Sequence, residues 1–272
     1  MDSSLLQEKA RTMRVWIMKS IAEARSGHPG GSLSMVEIMV WLYYAGLNVG
    51  PGEEWNDKRD RVVLAKGHGA PALYTILAMK GFLPLEELLT LRKLGSRLQG
   101  HPDRKKLLGV EMSTGSLGHG LSVANGMALG LRLRGIDSKV VALMGDGELQ
   151  EGQVWEAAMT AAHYRLNNLT AFVDYNNLQI DGRVDEIMDV APVGEKFASF
   201  GWEVAEIDGH CFDEIARAFC RPRTDQPRVI VARTVKGKGI DYMENVAGWH
   251  GKAPSREQAQ AYSESMGGIC RG

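Results

Sequence analysis

The chain has few cysteines, no excess of either charge and no long apolar run. Among its 272 residues only 3 are cysteine, Cys211, Cys220 and Cys270. They are odd in number and lack a C-x-x-C pairing, which excludes a disulfide-built scaffold and leaves free or buried thiols in a reducing cytosol. The 32 basic residues are balanced by 33 acidic ones, so nothing marks an electrostatic surface for nucleic acid or membrane. No apolar stretch approaches the roughly 18 residues of a membrane span. Met1-Asp2-Ser3-Ser4 lacks the basic, apolar start of a secretory signal. A soluble, cytoplasmic protein is expected. Repeats, low-complexity tracts and linkers are also missing, so residues 1–272 read as a single domain with a polar surface helix or tail from about Lys252.

What is present is an alternation of short apolar runs with helical stretches. Helices are expected over residues 5–24, Met35–Tyr44, Ala70–Met79, Leu117–Arg134, Gln153–His163 and near Phe212–Phe219. Strands are expected over Arg61–Ala65, Lys139–Met144, Leu169–Val173, Trp202–Ile207 and Arg228–Ala232. This order predicts an α/β fold, a mostly parallel sheet flanked by helices.

One strand–helix–strand unit carries the chemistry. Gly145-Asp146-Gly147 ends the first strand and Asp174-Tyr175-Asn176-Asn177 ends the second. If the two strands are neighbours, Asp146 and Asn176 sit side by side beyond the carboxyl ends of the sheet, where such folds bind ligands. A carboxylate and an amide oxygen suit a hard cation that completes its shell with phosphate oxygens. Gly147, read as opening the helix, offers an N–H to an anion. The pattern therefore asks for a metal bound to a diphosphate.

Five of the seven histidines lie in glycine-rich loops. They are His28 in Ser26-Gly27-His28-Pro29-Gly30-Gly31, His68 in Lys66-Gly67-His68-Gly69, His101 in Gly100-His101-Pro102, His119 in Gly118-His119-Gly120, and His250 in Gly248-Trp249-His250-Gly251. Imidazole on so open a backbone can bond a phosphate or move a proton near neutral pH. His163, within a helix, and His210, after a strand, do not share this setting.

Taken in order, these motifs resemble the N-terminal, diphosphate-binding half of transketolase over about residues 5–255. The resemblance implies a thiamine diphosphate-binding fold in which Asp146, Asn176 and the main-chain carbonyl of Leu178 hold Mg²⁺, with Ca²⁺ as the other candidate. It implies that His68, Gly147, Asn176 and His250 face the diphosphate and that Gly115 and Leu117 support the aminopyrimidine. His28 and His101 match histidines that line the donor pocket and bond the sugar hydroxyls. Glu151 and Glu156 match acids near the subunit boundary; as residues alone they are equally acids early in a helix, where the dipole favours them. Lys236 and Lys238 face either phosphate or solvent. His119 stands where many transketolases carry glutamine, which leaves its role open.

A whole transketolase is more than twice this length. In that family the glutamate that activates the aminopyrimidine, and most of the groups that hold the sugar phosphate, belong to a pyrimidine-binding domain that has no counterpart here. The resemblance thus implies one subunit of a split enzyme, completed by a separate C-terminal subunit in an α₂β₂ assembly. The implied reaction is transfer of a two-carbon ketol unit between sugar phosphates in pentose-phosphate metabolism, or in a specialised sugar or sulfosugar route.

Three other readings use the same residues. A 2-oxo acid dehydrogenase subunit or a deoxyxylulose phosphate synthase shares the metal motif, but the pairing of Ser26-Gly27-His28-Pro29-Gly30 with Gly100-His101-Pro102 favours transketolase. A nicotinamide-dependent dehydrogenase is the second, since Gly67-His68-Gly69-Ala70-Pro71-Ala72 fits G-x-G-x-x-A with Glu86 or Glu87 downstream. It leaves Asp146 and Asn176 without a role. The third is an assembly subunit without catalysis, against which the intact metal and histidine motifs count.

Overall fold

The computed structural model describes residues 3–52 and 56–267, so Cys270 lies outside the described residues. Three helices, α1 (Ser3–Ala24), α2 (Pro29–Leu33) and α3 (Val36–Trp41), precede strand β1 (Arg61–Leu64). Helices α4 (Ala70–Met79) and α5 (His119–Leu133) come before β2 (Val140–Gly145), and α6 (Gly152–His163) joins β2 to β3 (Leu169–Tyr175). Short helices α7 (Val184–Ile187) and α8 (Val193–Ser199) lead to β4 (Glu203–Asp208). Helix α9 (Phe212–Phe219), β5 (Arg228–Arg233) and α10 (Arg256–Ser265) complete the order.

The strands form one sheet in the order β1-β2-β3-β5-β4, and every neighbouring pair is parallel. Because side chains alternate along a strand, the apolar runs divide between two cores. Val141, Leu143, Phe172 and Ile230 join residues of α1, α3, α4 and α9 on one face. Val140, Ala142, Met144, Ala171 and Val231 join α5, α6 and α8 on the other. A sheet covered on both sides explains why these strands read as continuous apolar runs. Burial of a side chain the size of Phe172 stabilises the fold by roughly 1.5–3 kcal/mol.

The sequence reading holds for the order and type of the main elements, with three local differences. The helix expected over Met35–Tyr44 is α-helical only over Val36–Trp41 and then loosens into a π turn over Leu42–Gly46. Gly147 does not open α6: it begins a 3₁₀ turn over Gly147–Gln150, and α6 starts at Gly152. The polar segment after Lys252 contains α10, started by a capping box between Ser255 and Gln258, and Ala259 is buried in the core shared with α1.

Candidate functional site

Parallel strands end on one edge, and all five strands here place polar residues just beyond their carboxyl ends. Lys66 and His68 follow β1, Asp146 follows β2, Asn176 and Leu178 follow β3, His210 follows β4, and Lys236 follows β5. Strands β2 and β3 are direct neighbours, with Gly145 in register with Asp174. This brings Asp146 beside the Asn176-Asn177 turn: one Asp146 oxygen accepts from the main-chain N–H of Gly147 at 2.7 Å, the other from that of Asn177. The Gly147 N–H is therefore capped by its neighbour rather than left free. Asn177 adopts a left-handed backbone (φ 57), a conformation asparagine tolerates better than most residues. The Asn176 Oδ1 accepts from Leu178 N at 3.1 Å.

Asp146 is nearly inaccessible, and burial, with the charge of Asp174 beside it, raises its pKa to about 6 despite the two main-chain donors. A carboxylate so placed is costly to ionise until a cation comes close. Among the described residues no three His, Cys, Asp or Glu side chains converge as a metal site. The donors gathered here are one carboxylate, one amide oxygen and one main-chain carbonyl, a hard set that fits Mg²⁺ or Ca²⁺ with phosphate oxygens in the remaining positions.

Beneath them lies a buried ion pair that the motifs did not disclose. Lys66 Nζ meets Asp174, and both side chains are almost fully enclosed. Asp174 also accepts from Ser34 Oγ at 2.5 Å, from Thr234 Oγ1, and from Asn176 Nδ2 at 3.4 Å. Burial alone would raise its pKa; Lys66 and these donors outweigh it and hold the carboxyl below its ordinary value. Glu148 is enclosed as well. It accepts from the N–H of Gly118 at 2.9 Å and of Gly145 at 3.1 Å, tying the end of β2 to the loop that carries Gly115 and Leu117. Burial pushes its pKa up to about 7.

Four of the five loop histidines come together. Ring centroids of His28 lie 5.5 Å from His68, 6.3 Å from His101 and 5.4 Å from His250, and His68 is 5.1 Å from His250. Tyr74 on α4 fixes the His101 loop by donating to the carbonyls of Gln99 at 2.9 Å and His101 at 3.2 Å. Arg92 donates to Ser26 Oγ at 2.7 Å and stands 3.4 Å from His28 Nδ1. Glycine lets the rings lie against the main chain. A Cβ at Gly31 would come within 3.1 Å of His68 Nε2, and one at Gly115, whose φ is +148, within 3.0 Å of the His101 ring. His119 is apart: it is exposed at the start of α5, with Nδ1 3.2 Å from the carbonyl of Ser116.

Lys236 is buried rather than solvated, donating to the Leu178 carbonyl at 2.7 Å and lying 2.9 Å from His250 Nδ1. Burial, with Lys66 nearby, lowers its pKa to about 8. Lys238 pairs instead with Glu244 at 3.3 Å. Glu151 and Glu156 are exposed, at the N-cap and in the second turn of α6. Gln153 from the same helix holds the Leu117 carbonyl at 3.3 Å.

Partial desolvation lowers every histidine of the cluster, His101 included although much of its surface stays exposed. His28 falls to about 4 with help from Arg92, His250 to about 3 with help from Lys236, and His68 and His101 are lowered also. All four are neutral at pH 7. The unfolded chain takes up these protons near pH 6.5 while the folded chain does not, so their contribution to stability is lost as pH falls from about 6.5 towards 4. Asp146 and Glu148, raised in the fold, act in the opposite sense between about pH 4 and 7, so a difference measurement is needed. We expect the melting temperature of His250→Asn to gain on that of the parent as pH drops from about 7 to about 5. A difference that stays flat with pH would show that His250 titrates normally in the fold.

The edge so assembled defines a class: an α/β protein with a parallel sheet that gathers polar side chains and histidines beyond the carboxyl ends of its strands. Residues 6–268 match the family model described as transketolase, thiamine diphosphate binding domain, and the chain belongs to that family. It is 42% identical to the 6-deoxy-6-sulfo-D-fructose transketolase subunit SqwG of Clostridium sp. (strain MSTE9), over 94% of each chain. It is 40% identical to an apulose-4-phosphate transketolase subunit of Phocaeicola vulgatus, over 98% of this chain and 94% of that one. The crystal structure of transketolase from Campylobacter jejuni superimposes with a TM-score of 0.92 at 34% identity, covering 98% of this chain but 43% of the other. The chain therefore spans less than half of a one-chain transketolase and nearly all of the subunit relatives. The dehydrogenase reading loses its acid: Glu86 and Glu87 both lie in a 3₁₀ turn, not at a strand end, and Glu87 pairs with Arg97 at 2.6 Å. No helix among the described residues is long and apolar enough to cross a membrane.

Proposed function

We propose that this chain is the N-terminal, diphosphate-binding subunit of a two-chain, cytoplasmic transketolase that acts on sugar phosphates, or on sulfonated sugars as the name of SqwG does. The observation that carries the reading is the single edge on which Asp146, Asn176 and the Leu178 carbonyl stand with four neutral histidines. Asp146, Asn176 and Leu178 would hold Mg²⁺ or Ca²⁺; His68, Asn176 and His250, with Lys236, would bind the diphosphate, and the Gly147 N–H would join them by leaving Asp146 for a diphosphate oxygen. Glycine at 31 and 115 lets the His68 and His101 rings lie close against the main chain, where a side chain would push them out of place. Gly115 and Leu117 would support the aminopyrimidine, their loop held by Glu148 and Gln153. Thiamine diphosphate, when bound, supplies the electron sink needed to break a carbon–carbon bond next to a carbonyl.

This chain's own part in the reaction is to bind, orient and move protons. His28 and His101, neutral at pH 7, can donate to or accept from sugar hydroxyls and carry a proton at a ring nitrogen. The glutamate that activates the aminopyrimidine and most contacts to the sugar's anionic group would come from the second chain. Exposed Glu151 and Glu156 would face a subunit boundary in an α₂β₂ assembly, and residues 1–272 would act as one unit. The test is a titration of thiamine diphosphate with Mg²⁺ into this chain, into the product of the neighbouring gene, and into their mixture. Tight binding in the mixture alone is expected; a stable two-chain complex that takes up no cofactor would overturn the proposal.

A further inference from the structure

His210 shares no ring contact with the four clustered histidines, yet it is locked into the same edge. Its Nδ1 lies 2.9 Å from Glu37 Oε2, and its Nε2 accepts the main-chain N–H of Val235 at 2.9 Å. A main-chain N–H can only donate, so Nε2 is unprotonated and the ring proton sits on Nδ1, directed at Glu37. Glu37 also accepts from Arg14 Nη2 at both carboxylate oxygens, at 2.7 and 2.9 Å, and Arg14 and Glu37 are both nearly inaccessible. Arg14 then returns to the same loop, its Nε donating to the Lys238 carbonyl at 2.9 Å.

The loop approaches this network too closely for a side chain at either of its glycines. A Cβ at Gly239, whose φ is +88, would stand 2.8 Å from Arg14 Nε, and one at Gly237 would stand 2.6 Å from the carbonyl of Met243. Gly237 N donates to Gly30 O at 3.0 Å and Asn245 N to Lys236 O at 2.9 Å. Residues from α1, α3 and the end of β4 thus grip Val235, Lys238 and Gly239, and the residue held within that grip is Lys236. The two ends of this buried polar chain, at Val235 and Lys238, bracket Lys236 and Gly237.

We infer that His210, oriented by Glu37 and Arg14, is a positioning residue that sets the main chain of the Lys236 loop and so aims the Lys236 ammonium at the diphosphate. This rests on the reading of the site given above. Two variants separate it from a structural role. His210→Gln can keep an acceptor for the Val235 N–H; His210→Asn can keep a donor for Glu37 but leaves that N–H unpaired. Each breaks one link of the same buried chain, so their melting temperatures are expected to fall alike.

Their affinities for thiamine diphosphate with Mg²⁺, measured on the two-chain complex, are expected to differ. His210→Asn should bind about tenfold more weakly than the parent and His210→Gln within about threefold of it. Equal affinities for the two variants would overturn the inference. A parent complex that binds no cofactor would instead overturn the reading of the site, and the inference with it. If the parent binds but Lys236→Met binds as well as the parent, the assigned role of Lys236 fails. Should neither His210 variant fold, nitrogen NMR of the parent decides: His210 is expected as the Nδ1–H tautomer, and the Nε2–H tautomer would contradict the clamp.

Discussion

Asp146→Ala is expected to weaken thiamine diphosphate binding in the presence of Mg²⁺ by more than about a hundredfold, the upper range for loss of a residue that merely orients a metal ligand. The expectation follows from the position of the carboxylate. Asp146 is buried, its two oxygens already accept main-chain hydrogens, and Asp174 beside it resists further negative charge. Burial and Asp174 raise its pKa to about 6, and a bound cation would favour the ionised form, so the carboxylate and the metal stabilise each other. Removing Asp146 removes the sole anionic ligand among the three proposed. The variant should remain folded, because it deletes a group whose burial opposes its own charge. Titration with and without Mg²⁺ is the check: the parent should show a large metal-dependent gain in affinity and the variant none. A variant retaining the gain would mean that the metal lies elsewhere.

The second large effect concerns folding rather than binding. Lys66→Met leaves Asp174 as a buried charge without its cation, and breaking such a pair from one side costs about 3–5 kcal/mol. Ser34, Thr234 and Asn176 still donate to Asp174, which places the expected cost near the lower end. For a chain of this size the melting temperature should fall by roughly 10 °C. The deficit should narrow in acid, because protonating Asp174 removes the uncompensated charge. Adding Asp174→Asn to Lys66→Met should recover part of the loss for the same reason. A single variant melting within about 2 °C of the parent at neutral pH would show that the pair contributes little.

These two predictions also mark what could be read from the chain and what could not. Asp146 and Asn176 were legible because a strand–helix–strand unit makes its strands neighbours, and parallel strands end together. His28, His68, His101 and His250 were legible as candidates because glycine-rich loops leave imidazole open to a ligand. That they form one group depends on contacts between distant segments, such as Gly237 with Gly30 and Tyr74 of α4 with the His101 loop, which no local pattern records. Gly147 was misread for a physical reason: the side chain of Asp146 caps its N–H, and a 3₁₀ turn delays the helix to Gly152.

Long-range polar partners were the least accessible. Lys66 and Asp174 are 108 positions apart, and Glu37 and His210 are 173 apart. Nothing in the residues around Lys66 distinguishes a buried lysine from one in solvent; the pairing of β1 with β2, the approach of Asp174 from β3 and the packing of α2 enclose it. The same holds for Lys236, which a glycine-flanked context left open between phosphate and solvent and which the fold buries against Leu178 and His250.

The most direct test of the central claim is ketol transfer by reconstitution. The chain, the product of the neighbouring gene and their mixture would each be given thiamine diphosphate, Mg²⁺, a ketose donor and an aldose acceptor. The donors would be xylulose 5-phosphate, 6-deoxy-6-sulfofructose and, as the control for a 2-oxo acid enzyme, pyruvate; ribose 5-phosphate would be the acceptor. Two-carbon transfer from a ketose in the mixture, with neither chain active alone, is the predicted result. Turnover by this chain alone, or a mixture that processes pyruvate and no ketose, would contradict it.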